Sequence, residues 1–280
     1  MAVEVTIKKK GFFKRKIEIP KIVFEDMGYG TMDDNWRLLE NEVGEPTIVY
    51  SHNVLERGIE IVSEKEYILL RLPLPTGENE IRFFYEYVER LCKYLKVDTF
   101  FRYEEESYFD RIEDYIKWDI TASIGAISGM RESIEKKEYE EMYIFGVLNP
   151  ITIGPKELDF IDDSPKKLGE LLHNLQSVDA YYAGAKIYQR ENGTLFGMYV
   201  LTENVKSVFP TKPLVIMNND EKIEDWYVTF CYDDNISGSI SYSDFISNVD
   251  QSDYYDATHF YITLEKEKMK ELLEKYKKEI

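Results

Sequence analysis

Cysteine is nearly missing from this 280-residue chain: Cys92 and Cys231 are its two copies. A secreted fold stapled by several disulfides is thereby set aside, and reduced thiols in a cytosol are expected. Histidine is as scarce, and His52, His173 and His259 are far apart and follow no metal-ligand spacing. No segment approaches the roughly 18 consecutive apolar residues of a membrane-spanning helix. The N-terminus, MAVEVTIKKKGFFKRKIEIP, lacks the apolar run of a signal peptide. The expectation is a cytoplasmic protein with no membrane partner. Bases are outnumbered, 35 Lys and Arg against 53 Asp and Glu, for a formal net charge of −18. Phosphate backbones demand clustered bases, so no nucleic acid is expected as a partner. Absent too are a GxSxG elbow, a Walker loop and a GxGxxG turn opening a helix, which weakens an enzymatic reading.

What is present is an ordinary core composition, 44% hydrophobic and 31% charged. Val3, Val5 and Ile7 alternate, as do Ile17 and Ile19 beyond Gly11, so a hairpin is expected at the start that would hold the one basic cluster, Lys8–Lys16. The glycine- and aspartate-rich stretch 27–35 reads as loop, followed by strands over 36–39, 47–50, 59–62 and 67–72. Ile81, Phe84, Val88, Leu91 and Leu95 fall at gaps of three and four and predict an amphipathic helix, with Thr76 as its cap. Ile112, Ile116, Ile120, Ile124, Ile127 and Ile134 predict a second, longer one, with a break near Gly125 and Gly129. Strands come next over 142–148 and 151–153. Ser164–Pro165 opens a third helix with Leu168, Leu171, Leu172 and Leu175 inward. Strands then dominate: 183–189, 195–201 (joined by a Glu191–Asn192–Gly193 turn), 214–217, 226–232 and 258–262, before a helix from about Leu264. Neighbouring strand pairs favour an α+β fold of mainly antiparallel sheets with about four amphipathic helices. Two similar-sized lobes, 1–138 and 139–280, are expected, with KKEYEE at 136–141 between them.

The charge is uneven. From Asp220 to Asp256 there are ten acids and one base, Lys222, so 10 − 1 leaves −9, half the net charge. Asp220, Glu221, Glu224, Asp225, Asp250, Asp253 and Asp256 are the candidate partner-binding residues, offering a basic protein an acidic face. A bound metal, or the chain's own basic segment, are the other counterparts weighed. Within that stretch DDNISGSISYSD fits a calcium-loop template: Asp233, Asn235 and Ser237 at the first, third and fifth places, Gly238 at the bend, Asp244 at the twelfth. Against it, Asp244 is one methylene short for a bidentate reach, Ile236 replaces a small residue, and the flank reads as strand. A hairpin loop followed by a helix capped by Ser241 or Ser243 needs no metal, and no cofactor is expected. His173, Tyr181 and Tyr182 are the candidate catalytic residues should an enzyme site lie between the lobes. His173 and Cys92 each lie beside an apolar stripe, where a packed core residue is the simpler reading. The 22 tyrosines fit an AT-rich genome as well as a binding surface.

Four stretches carry a resemblance: RLPLPTGENEIRFFYEYVERLCKYL from Arg71, MYIFGVLNPITIG from Met142, LLHNLQSVDAYYAGAKIY from Leu171 and GTLFGMYVLTENVKSVFPTKP from Gly193, with VEVTIKKK at the start. Together they are similar to domain-of-unknown-function family 4299 of Gram-positive bacteria. The resemblance implies a bacterial cytosolic protein of unknown role and supplies no site residues. The reading is a non-enzymatic acidic binding or adaptor protein, of which a toxin-neutralising (immunity-like) protein is one form. The alternatives are an enzyme of unknown reaction and calcium binding through 233–244.

Overall fold

The structure, a computed structural model, describes residues 1–11, 15–214 and 222–279. It has an α+β fold and groups into two compact units, Met1–Ser177 and Val178–Ile280. The sequence placed a division at 138/139. Segment 136–141 instead joins two elements of the first unit, because the helices at 155–161 and 165–176 pack back onto the long helix that ends at Glu135.

The first unit holds β1 (Ala2–Lys8), β2 (Met27–Met32), β3 (Leu38–Glu40), β4 (Thr47–Ser51), β5 (Val54–Ser63), β6 (Tyr67–Pro73), α1 (Glu78–Leu95), β7 (Phe100–Arg102), β8 (Glu105–Ser107), α2 (Ile112–Glu135), β9 (Met142–Phe145), β10 (Pro150–Ile153), α3 (Pro155–Ile161) and α4 (Pro165–Gln176). Eight of these strands form one antiparallel sheet in the order β3-β2-β4-β5-β6-β1-β7-β8. β1 is a central strand. Val3, Val5 and Ile7 lie opposite Leu72, Leu70 and Ile68 of β6, all buried, while Glu4 faces out. The period of two sets that face. The apolar stripe of α1, Ile81, Phe84, Val88 and Leu91, is fully buried in the same core. At about 25 cal/mol per Å² of apolar surface, burial on this scale is the main force holding helix to sheet.

Several expectations change here. β1 pairs with β6 and β7, not with a following hairpin strand, and Ile19–Lys21 is a single 3-10 turn. The glycine-rich stretch 27–32 is strand rather than loop. Its glycines serve close packing: a Cβ at Gly28 would stand 2.4 Å from the Tyr50 ring across the ladder. α2 runs unbroken through Gly125 and Gly129, where an added Cβ would meet nothing within 4 Å. Its Ile127 and Met130 share a second core with Ile151, Leu158, Leu168 and Leu172, which ties β10, α3 and α4 to the first unit.

The second unit holds β11 (Tyr181–Tyr182), β12 (Lys186–Gln189), β13 (Leu195–Thr202), β14 (Ser207–Pro210), β15 (Ile223–Tyr232), β16 (Asn235–Ser241), α5 (Tyr242–Ile246), β17 (Tyr254–Asp256), β18 (His259–Ile262), α6 (Lys266–Tyr276) and β19 (Lys277–Lys278). Two sheets, β11-β14-β18-β17 and β12-β13-β15-β16-β19, enclose an aromatic core of Tyr199, Phe209, Phe230, Phe245 and Phe260, closed by Met269 and Leu272 of α6. Two ladders, β11 with β14 and β13 with β15, are parallel. The expected strand 214–217 falls mostly outside the described residues. Among those residues no helix is long and apolar enough to cross a membrane.

Candidate functional site

An open cleft of about 370 Å³ lies on the first unit where β2, β3 and β4 meet the chain that leads into them. Gly28 stands opposite Tyr50, and Gly30 opposite Glu40, so the ladder itself sets the lining. With no side chain at Gly28, the Tyr50 ring lies across the strand and its hydroxyl donates to Glu40 Oε1 at 3.2 Å. Burial, with the Glu40 carboxylate as a second cause, pushes the Tyr50 phenol up to about 12. His52 meets the Tyr50 ring edge-on, centroids 5.5 Å apart. Phe24, Tyr29 and the exposed Glu25 complete the wall. Arg90 caps the Phe24 ring at 4.5 Å, but its guanidinium is held by Asp26 at 2.7 and 2.9 Å. Among the described residues no basic side chain pairs with Glu25 or Glu40. The cleft offers two carboxylates and aromatic faces, the chemistry that receives an ammonium or guanidinium group.

A triad-like constellation lies in the second unit and is sealed. The His259 ring is 2.8 Å from Asp256 Oδ1 through Nδ1 and 2.9 Å from the Tyr182 hydroxyl through Nε2. The Thr258 N–H also donates to Asp256 Oδ1, at 3.0 Å. The β17–β18 hairpin sets Asp256 directly opposite His259, and β11 brings Tyr182. The residues are 1–5% exposed, so each of these polar contacts is made inside the core. A third polar cluster, in the first unit, joins β7 to the helices. Asp119 of α2 accepts from the Tyr85 hydroxyl at 2.6 Å and from the Arg102 guanidinium, and Arg102 Nε reaches Tyr85 at 3.2 Å. Burial raises Asp119 above the usual carboxylate range, against the pull of Tyr85 and Arg102.

The residues expected from sequence are dispersed. His173, on α4, accepts the Leu55 N–H at Nδ1, 3.2 Å, and lies in the first unit; Tyr181, half-exposed, and buried Tyr182 belong to the second. Cys92 is buried on α1, and burial pushes its thiol up to about 12, which disfavours the thiolate a nucleophile needs. Of the acidic segment, Asp220 and Glu221 lie outside the described residues. Glu224 and Asp225 are exposed at the start of β15, where Asp225 pairs with Arg190 at 2.9 Å. Asp250 accepts from the Ser252 N–H and hydroxyl, both at 2.9 Å, and Asp253 is exposed. Asp256 corrects the expected exposed face: its side chain is 0% exposed and bonded to His259. Strand geometry separates the remainder, since eight residues of β15 between Asp225 and Asp233 span about 26 Å. The carboxylates are dense along the chain and scattered in space.

The calcium template is likewise not gathered. Asp233 and Asp234 form the two-residue turn between β15 and β16, with φ of 53° and 57°. Asp233 is ion-paired with Lys266. Asn235 and Ser237 then run along a strand, and Asp244 lies in α5, where its N–H is capped by Ser241 Oγ at 3.1 Å. Among the described residues, no group of three His, Cys, Asp or Glu side chains is placed to hold a metal ion. Sequence reasoning passed over His259. The signal was Asp256-x-x-His259 across a tight turn between two strand patterns, which sets the two side chains face to face.

Compared with known proteins, residues 2–272 match a family model described as Domain of unknown function (DUF4299). No curated protein and no solved structure matches.

Proposed function

We propose that this chain, which belongs to the DUF4299 family, is a binding protein for basic polypeptide, and that its N-terminal cleft receives a lysine or arginine side chain. One contrast carries the reading. The constellation with catalytic-type side chains, Tyr182, His259 and Asp256, has its polar atoms bonded to one another in the core. The surface cleft presents Glu25 and Glu40 beside Tyr29, Tyr50 and Phe24. A cation there gains charge-assisted hydrogen bonds and aromatic faces together. The net charge of −18 adds long-range attraction for a basic partner. A toxin-neutralising role is one concrete form of this activity.

A fluorescein-labelled hexalysine peptide tests it by anisotropy. Binding weakens steeply between about 0.05 and 0.5 M salt. The double variant Glu25→Gln/Glu40→Gln binds about tenfold more weakly, the equivalent of about 1.4 kcal/mol. Salt-independent binding, or equal binding by the variant, rules the cleft out.

A further inference from the structure

Glu56 of β5 and Glu80 in the first turn of α1 are 2% and 1% exposed. Both meet the Thr76 hydroxyl: Oγ1 is 3.1 Å from Glu56 Oε2 and in a shorter contact with Glu80 Oε2. Thr76 therefore does not cap α1 as the sequence suggested; Gly77 occupies that position and its N–H donates to Glu56 Oε2 at 2.7 Å. Glu80 Oε1 accepts the Gly58 N–H at 2.7 Å, and the Arg57 N–H lies 3.0 Å from both Glu80 oxygens.

Hydrogens can be counted. A threonine hydroxyl carries one, and an ionised carboxylate carries none. Thr76 can donate to one carboxylate; the other contact needs a hydrogen from the carboxyl group itself. Glu80 already accepts two backbone N–H groups, which favours its ionised form. The hydrogen thus belongs to Glu56, and the chain runs from Glu56 Oε2–H to Thr76 Oγ1, and from Thr76 O–H to Glu80 Oε2.

We propose that one proton held between Glu56 and Glu80 through Thr76 is a pH-operated latch fastening β5 to the start of α1 and to α4. The surroundings give a second negative charge little relief. Arg57 on β5 is the charged side chain acting on Glu80, but its guanidinium donates to the Phe145 and Pro75 carbonyls at 3.3 and 3.2 Å. Glu60, further along β5, acts on Arg57. From α4 come Gly169, whose Cα packs on Gly77, and neutral Gln176, whose amide donates to the Glu56 carbonyl at 2.8 Å. From α2 comes neutral Ser123, accepting the Thr76 N–H at 3.2 Å. Burial, then the Glu80 charge, raises Glu56 to about 8, and burial raises Glu80 too.

The folded pair keeps a proton that the unfolded chain releases above the ordinary glutamate value of 4.5. Stability from the latch is therefore whole below about 4.5 and falls as pH rises toward about 8, by up to tenfold in the unfolding constant per pH unit. Glu56→Gln keeps both contacts, since its amide nitrogen donates to Thr76 and its oxygen accepts from Gly77. Melting temperature against pH separates the two proteins: the variant melts higher than the wild type at about pH 9, and the curves draw together toward about pH 5. Parallel curves across that range overturn the latch. If the variant does not fold, ¹³C-carboxyl NMR of glutamate-labelled wild type decides: a carboxyl titrating near 8 supports it, and every glutamate titrating near its ordinary value overturns it.

Discussion

Arg102→Met lowers the stability of the N-terminal unit by about 3–5 kcal/mol, the cost of stranding a buried charge when its partner is removed. Asp119 is 1% exposed and Arg102 is its ion-pair partner, so the substitution leaves the carboxylate leaning on the neutral Tyr85 hydroxyl. Methionine keeps most of the side-chain volume, so lost packing contributes little. The melting temperature falls by roughly 10 °C. The Asp119 carboxyl, already raised, rises further once the guanidinium is gone. Neutralising the acid as well, in Arg102→Met/Asp119→Asn, recovers part of the loss, and a double-mutant cycle by urea unfolding measures the coupling. Trp118 reports locally, since the guanidinium lies 5.8 Å from its ring. A single variant within about 0.5 kcal/mol of wild type would show that the pair contributes nothing net.

Gly169→Ala destabilises by about 3 kcal/mol, although alanine is the better helix former by about 1 kcal/mol. Gly169 lies inside α4, where a Cβ would stand 2.6 Å from Glu56 Oε1, a carboxylate already fixed by Thr76 and Gly77. Its Cα also approaches Gly77, so neither side of the crossing can give way cheaply. Gly125→Ala and Gly129→Ala are the controls. They occupy the interior of α2 with open space around them, and each stabilises by about 0.5–1 kcal/mol. Chemical denaturation of the three variants checks the reversal of sign. Three equal effects would show that helix propensity, not the Gly77–Gly169 approach, governs the site.

The same contrast explains what could be read in advance. Periodicity located α1, because Ile81, Phe84, Val88 and Leu91 advertise one face at helical spacing. It located α4, because Ser164 and Pro165 mark a start; there Ser164 Oγ accepts the Lys167 N–H at 3.4 Å. It misread Gly28 and Gly30, since a glycine in a turn and a glycine under an aromatic ring look alike in one dimension. It missed β7 and β8 as sheet members beside β1, a pairing that links residues nearly a hundred positions apart. The cleft was invisible for that reason as well: Glu25, Glu40 and Tyr50 share no spacing rule and meet only because β2 lies between β3 and β4.

The sequence by itself determined the α+β class, the antiparallel bias, the faces of the main helices and the family resemblance, all properties of local pattern and composition. Tertiary structure alone decided which acids are exposed. Asp256 and Glu80 are buried and bonded, Asp225 and Asp233 have basic partners, and Glu25 and Glu40 line a cleft. Charge adds along a chain whatever its fold, but a carboxylate's role depends on its solvent and its nearest neighbour. Long-range strand pairing sets both.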